Sequence, residues 1–244
     1  MLNVRDMFYR HKAAGMLNYR SLGRALGTAE HRFILIASFL FWIVFIPVSG
    51  LGMNPNYTLR EKVFWAFAYW GFFTFNSAIY SYIGQLFMCL VRGQGTAMVL
   101  ASVFIGINNF FSGFIVRPQQ MIGNFWFITY IINPGHYVYE GLVASAFGNN
   151  TRTVIVTNAS QYFAELTSPD YVGPDDVVYA NGVCEIMDNG SYCEVPANEF
   201  VYAFFGKQYG RSNVRRNAVI LGCILVGVRI FTFLALRNLT YSGK

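Results

Sequence analysis

Apolar residues in this chain come in long unbroken runs, and the polar positions between them do not alternate. From Phe33 to Tyr57 there is no Asp, Glu, Lys, Arg or His, and Val63 to Val91 adds 29 more uncharged residues. Gly93 to Val116 is uncharged again, and the last run, Ala218 to Leu236, contains Arg229 alone. A helix needs about 20 apolar residues to cross the hydrocarbon layer. The pattern therefore predicts four spans, at 33–51, 63–91, 95–116 and 218–236. A strand barrel would alternate apolar with polar, and these runs do not. The stretch 119–147 is also apolar but is cut by Asn133-Pro134-Gly135. Proline and glycine there predict two short re-entrant helices dipping into the membrane, with a fifth full span as the other reading.

Composition agrees with the pattern. Of 244 residues only 12% are charged, while 55% are apolar and 18% aromatic, and the mean hydropathy is +0.37. Ordinary globular chains carry roughly a quarter charged residues, and their exteriors are largely polar. Membrane embedding is the reading left. Four cysteines are too few for a disulfide-built mini-protein. A net charge of +6 invites a nucleic-acid partner, but the charges are segregated by segment. Residues 1–32 hold Arg5, Arg10, Lys12, Arg20, Arg24 and Arg32 against Asp6 and Glu30, whereas 149–206 holds eight acidic residues and one cation, Arg152. No basic face with interleaved aromatics results, so no nucleic-acid groove is predicted.

The basic start predicts a cytoplasmic amino-terminal segment. Four spans then place 52–62 and 117–217 outside. The acceptor sequons at Asn56, Asn149, Asn158 and Asn189 all fall on that side. Arg211, Arg215 and Arg216 before the last span, and a sequon at Asn238, run against this topology. Long loops translocate largely regardless of charge, so the topology stands. In the outer loop Cys184 and Cys193 flank the turn residues Asp188-Asn189-Gly190. They read as a local disulfide, or else as two free or intermolecular thiols. Cys89 and Cys223 read as packing residues in spans.

Catalytic chemistry is thin. The three histidines, His11, His31 and His136, share no metal spacing, and no P-loop, Gly-x-Ser-x-Gly or His-Glu-x-x-His motif occurs. No metal site is predicted, and Asp175-Asp176 reads as solvated loop. His136 and Glu140 lie one helical turn apart and can pair, either structurally or as a proton relay. Polar residues interrupt the spans at Asn76, Ser77, Ser81 and Gln85, and at Ser102, Asn108 and Asn109. Small residues Ala97, Ala101 and Gly106 accompany the second group. They read as helix-packing positions, or as a pathway lined by Phe, Ser and Asn for large amphipathic molecules. Arg229 facing lipid would cost about 2.5–3.5 kcal/mol, so it faces protein or water, or snorkels.

Three blocks carry a resemblance. Phe8-Tyr-Arg-His-Lys-Ala-Ala-Gly-Met16, Asn109-Phe-Phe-Ser-Gly-Phe-Ile115 and the run from Asn133 to Gly148 are similar to segments of pleiotropic drug resistance ABC transporters of the G subfamily, in the same order. His11 stands where that family usually has an acidic residue. The cysteine-bearing loop and the last span agree with the family in layout only. The resemblance implies an all-α membrane fold, an ABC-2 type exporter bundle with a small extracellular subdomain. It divides the chain into a cytoplasmic link (1–32), three spans (33–116), re-entrant helices (117–147), an extracellular loop (148–217), a last span (218–237) and a tail (238–244).

By the same resemblance Phe8, Tyr9, Arg10 and Gly15 belong to a segment coupling to a nucleotide-binding domain. Ser102, Ile105, Gly106 and Asn109 would line the substrate pathway, and Phe114 and Ile115 an apolar plug. No ATP-binding motif lies in the 244 residues, so ATP and Mg are expected at a separate nucleotide-binding domain, with no cofactor in this chain. A second transmembrane domain is the other expected partner, and the chain is expected to be a fragment, a truncated gene product or part of a split transporter. The function implied is ATP-driven export of lipophilic compounds or lipids from a multi-pass protein of the plasma membrane. The rival expectations are a non-transporting four-span glycoprotein whose outer loop binds partners and, with least support, a membrane enzyme.

Overall fold

The computed structural model describes residues 2–50, 57–116, 118–121, 123–157, 184–187 and 190–239. Its helices are α1 (Leu2–Ala13), α2 (Tyr19–Ser49), α3 (Leu59–Leu90), α4 (Gln94–Phe110), α5 (Pro118–Met121), α6 (Trp126–Ile132), α7 (Pro134–Phe147), α8 (Ala197–Phe205) and α9 (Val214–Asn238). Strands β1 (Thr153–Thr157), β2 (Cys184–Met187) and β3 (Gly190–Pro196) form one antiparallel sheet in the order β1-β3-β2. The all-α membrane fold expected from the sequence is the fold found. Two helices among the described residues, Tyr19–Ser49 and the continuous Arg211–Asn238, are long and apolar enough to cross a membrane.

Each of the four predicted spans is helical over most of its described residues, with shifted ends. Helix α2 starts at Tyr19, well before the first run at Phe33, because Asn18 caps it by accepting from the Arg20 N–H. The second half of the basic segment is thus helical and continuous with the first predicted span. Helix α3 starts on a capping box, Thr58 with Glu61. The Thr58 backbone N–H, then its hydroxyl, donate to the Glu61 carboxylate and hold its pKa below the ordinary value. Helix α4 stops at Phe110, with 17 residues, so 111–116 is not helical as the run to Val116 predicted. The break at Asn133 falls where expected. Its side chain accepts from the Gly135 N–H, and Pro134 takes the first helical position of α7, where a missing N–H costs nothing.

Helix α3 is the central post, packing against α2, α4, α7 and α9. The main core joins α3 to two of them: Phe72, Ile79 and Ile83 of α3, Val138 of α7 and Leu221 of α9. Helix α7, the second of the two short helices expected here, is buried along most of its length, from Pro134 to Ala146. Small residues allow that. A Cβ on Gly141 would overlap the Phe72 ring, so the glycine sets how closely α7 and α3 approach. Between α2 and α3 the contact is aromatic and hydrogen-bonded. Phe41 stacks on Phe73 at 4.6 Å, and Ser38 accepts from Trp70 Nε1 (3.2 Å) and Thr74 Oγ1 (3.0 Å).

Candidate functional site

Helix α4 has two unlike faces. Ala97 and Asn108 are buried, and the Asn108 carbonyl accepts from Asn133 Nδ2 at 2.7 Å, tying α4 to the start of α7. Round the helix from them, Ser102, Ile105, Gly106 and Asn109 lie at helical spacing, and all four are exposed. The structure thus brings the four sequence-predicted pathway residues into one stripe. Nothing lies within 4 Å of a Cβ built on Gly106, so the stripe is open along its middle. Its polar members, Ser102 and Asn109, stand among exposed Val103, Ile107 and Phe110, and an amide facing hydrocarbon lacks hydrogen-bond partners. Asn109 requires water, a ligand or another protein surface.

Below the stripe the chain turns sharply. Gly113 sits at φ +94°, in the left-handed region, and is buried. A Cβ there would meet Tyr209 Oη at 2.7 Å, the Tyr130 ring at 3.2 Å and Pro118 at 3.5 Å. Glycine is the residue this turn admits. Next to it Phe114 and Ile115 are 66% and 56% exposed, held on the non-helical segment and not on a span as the sequence predicted. The Phe114 ring meets Tyr139 of α7 edge-on at 5.6 Å.

Behind the turn lies a polar cluster. Glu140 is fully buried, with Arg216 Nη2 of α9 at 3.2 Å from Oε1 and His136 Nε2 at 3.3 Å from Oε2. His136 stacks on Tyr130 at 3.8 Å. The pairing of His136 with Glu140 was readable one turn apart. Arg216 was not, since it lies 76 positions from Glu140 along the chain, and the arginine counted only as a topology signal. Arg211 was missed likewise. It donates to Tyr57 Oη and packs over the Trp65 ring at 4.0 Å.

At the other end α1 docks on the bundle. Phe8 and Tyr9 are buried against Cys89 of α3 and Ala235 and Leu236 of α9. Lys12 Nζ donates to the Leu236 carbonyl at 3.0 Å and the Arg237 carbonyl at 2.7 Å, satisfying the last turn of α9. Arg10 is exposed, and Gly15, at φ +71°, closes the helix. Of the predicted coupling residues, two are anchors and one faces outward. Arg229 faces protein: its guanidinium donates to the Gly23 carbonyl (2.6 Å) and Gln85 Oε1 (3.1 Å) and lies over the Tyr82 ring.

The α2–α9 crossing uses Gly23-x-x-x-Gly27, where a Cβ would overlap the Phe233 ring and the Arg229 guanidinium respectively. Gly27→Val is expected to expel that guanidinium and lower stability by about 1–3 kcal/mol, read as an earlier melting transition in detergent. Gly95→Val, with nothing within 4 Å of its Cβ, is the comparison, and an equal shift in both would refute the crossing.

Elsewhere the predicted sites scatter. Cys184 and Cys193 are paired Cα partners across β2 and β3. Asn149 is exposed just beyond α7, while Asn56, Asn158 and Asn189 lie outside the described residues, as do Asp175 and Asp176. Cys223 is exposed, a departure from the packing role expected of it, because it sits on the outward face of α9. Among the described residues no group of three His, Cys, Asp or Glu side chains converges to hold a metal ion.

These elements define a helical membrane domain with one small antiparallel sheet and a short broken-helix segment leading into its most buried helix. The family model for the ABC-2 type transporter matches residues 1–147, and the chain belongs to that family. It is similar to ABC transporter G family member 36 of Arabidopsis thaliana, 29% identical over 170 residues, 69% of this chain and 11% of that protein. It is also similar to Pleiotropic drug resistance protein 1 of Nicotiana tabacum, 32% identical over 148 residues, 59% of this chain and 10% of that protein. ABC transporter G family member 38 of Oryza sativa subsp. japonica is 27% identical over 171 residues, 70% of this chain and 11% of that protein. The chain spans about a tenth of the length of these relatives.

Proposed function

We propose that this chain supplies the membrane-embedded pathway half of an ATP-driven exporter of lipophilic compounds or lipids. It works with a nucleotide-binding domain and a second transmembrane domain, in a multi-pass protein of the plasma membrane. The observation that carries the reading is the open stripe of α4, where Ser102, Gly106 and Asn109 are exposed while Ala97 and Asn108 are buried. A second transmembrane domain facing that stripe would close a cleft of mixed polarity, suited to amphipathic cargo. ATP and Mg belong to the nucleotide-binding domain, since this chain has no P-loop.

Movement enters through α1. With Phe8 and Tyr9 buried and Lys12 holding the end of α9, a push on the exposed Arg10 face moves α9 with it. Helix α9 is tied through Arg216 to Glu140 of α7, and Tyr139 of α7 touches Phe114. The apolar pair Phe114 and Ile115 is the plug at the far end of that path. On this reading the sheet and its sequons face outward, and Cys184 and Cys193 close a disulfide there.

The test is ATP-dependent uptake of a fluorescent lipophilic dye into inside-out vesicles by the complete transporter. Asn109→Leu is expected to lower uptake by about tenfold, the equivalent of roughly 1.4 kcal/mol of lost cargo contact, with basal ATPase retained. Unchanged uptake by Asn109→Leu and Ser102→Leu together would defeat the pathway assignment.

A further inference from the structure

At the α1 end of the bundle, α2 and α9 leave a cavity of about 330 Å³ between them. Its rim is cationic, with Arg20 and Arg24 one turn apart on α2 and Arg237 on the last turn of α9. Its wall is apolar, formed by Ile230, Phe233 and Leu234 along one stripe of α9. Because α2 begins and α9 ends at this level, the arginines sit nearer the end of the bundle and the apolar wall runs inward along α9. Beside it Phe231 is 62% exposed and Ile230 is 53% exposed, so the apolar surface continues out of the cavity along the helix.

Among the described residues no carboxylate lines the cavity, and neither ion pair involves these arginines. Glu30, further along α2, accepts from Ser81 Oγ at 3.3 Å, away from the cavity. Arg20 and Arg24 are like charges at i,i+4, which destabilise each other until an anion lies between them. Hydrogen bonds support the rim from behind. Arg20 Nε donates to Tyr19 Oη at 3.1 Å, and Lys12 clamps the carbonyls of Leu236 and Arg237. A volume of this size admits a headgroup and the first part of its chains, with the rest lying along α9.

We propose that this cavity binds an anionic phospholipid of the surrounding bilayer, its phosphate held by Arg20, Arg24 and Arg237 and its chains by Ile230, Phe233 and Leu234. Basic pockets between membrane helices recognise lipid headgroups through the charge and hydrogen-bond complementarity seen here. The proposal rests on membrane embedding and does not require the transport reading.

The experiment uses the purified protein in nanodiscs, with spin-labelled phosphatidylserine and spin-labelled phosphatidylcholine compared for immobilisation by electron paramagnetic resonance. Phosphatidylserine is expected to be preferred, with the preference weakened about fivefold for each arginine removed. Arg24→Gln with Arg237→Gln should therefore erase most of it, while Arg32→Gln with Arg60→Gln, removing the same charge elsewhere, should leave it. Equal immobilisation of the two lipids by the unmodified protein overturns the proposal, whether or not the variants fold. So does a preference that survives Arg24→Gln with Arg237→Gln. Displacement of phosphatidylserine by millimolar inorganic phosphate would mean that the site takes free phosphate, and would also overturn it. None of these readouts depends on ATP or on export, so transport can fail while lipid binding holds, and the reverse.

Discussion

Gly113→Ala is expected to destabilise the protein by about 2–5 kcal/mol, the sum of a left-handed backbone strain and an overpacked contact. Two independent costs meet at this residue. The backbone is at φ +94°, where an L side chain is disfavoured, and the added methyl has no room. Tyr209 Oη would lie 2.7 Å away, and Tyr209 is itself fully buried against Val143 and Val201. Its ring cannot retreat without opening the packing of α7 on α8. In a chain of this length the cost corresponds to a melting transition lowered by roughly 5–15 °C. Fluorescence-detected thermal unfolding in detergent reads it. Gly222→Ala, where nothing lies within 4 Å of the new Cβ, should move the transition by less than about 2 °C. If both variants melt together, the turn at Gly113 tolerates a side chain and the packing argument fails.

That glycine shows which parts of this molecule could be read from its sequence. Residues 109–115 stood out as a family-like block, and the block contains the turn, but neither the positive φ nor Tyr209 as neighbour is local information. The long uncharged runs forced helices because unpaired backbone groups cannot lie in hydrocarbon. Their ends were harder, since a cap such as Asn18 or Thr58 is a single side chain outside the apolar run. The His136–Glu140 pair was legible because one helical turn sets its spacing. Arg216 and Arg229 were not, because their partners Glu140, Gly23 and Gln85 come from other helices. Arg229 in an apolar run announced that it needed a partner, yet gave no address for one. Gly23 and Gln85 sat in stretches read for charge and polarity, and the Gly23-x-x-x-Gly27 spacing was the signal that would have placed α2 against α9.

Removing the guanidinium that faces Glu140 is the second large effect expected. Breaking a fully buried pair from one side costs about 3–5 kcal/mol, since a charge is left without compensation. Here Glu140 is fully buried but the Arg216 side chain is 54% exposed, so solvation from that side softens the loss. Arg216→Met is therefore expected to cost about 2–3 kcal/mol. Arg216→Met with Glu140→Met, which removes the stranded carboxylate as well, should recover at least about 1 kcal/mol relative to the sum of the two single variants. Such a cycle distinguishes a coupled pair from two unrelated packing losses, because packing losses at separate sites add. It also separates the roles of the two basic neighbours. His136 lies on the same helix as Glu140 and can hold it only locally, whereas Arg216, of the two, reaches across from α9 to α7. Loss of His136 by His136→Gln should then leave the α7–α9 coupling energy in place. A cycle with additive costs would show that α7 and α9 are held by the apolar core that Val138 and Leu221 share, and that the ion pair is incidental to it.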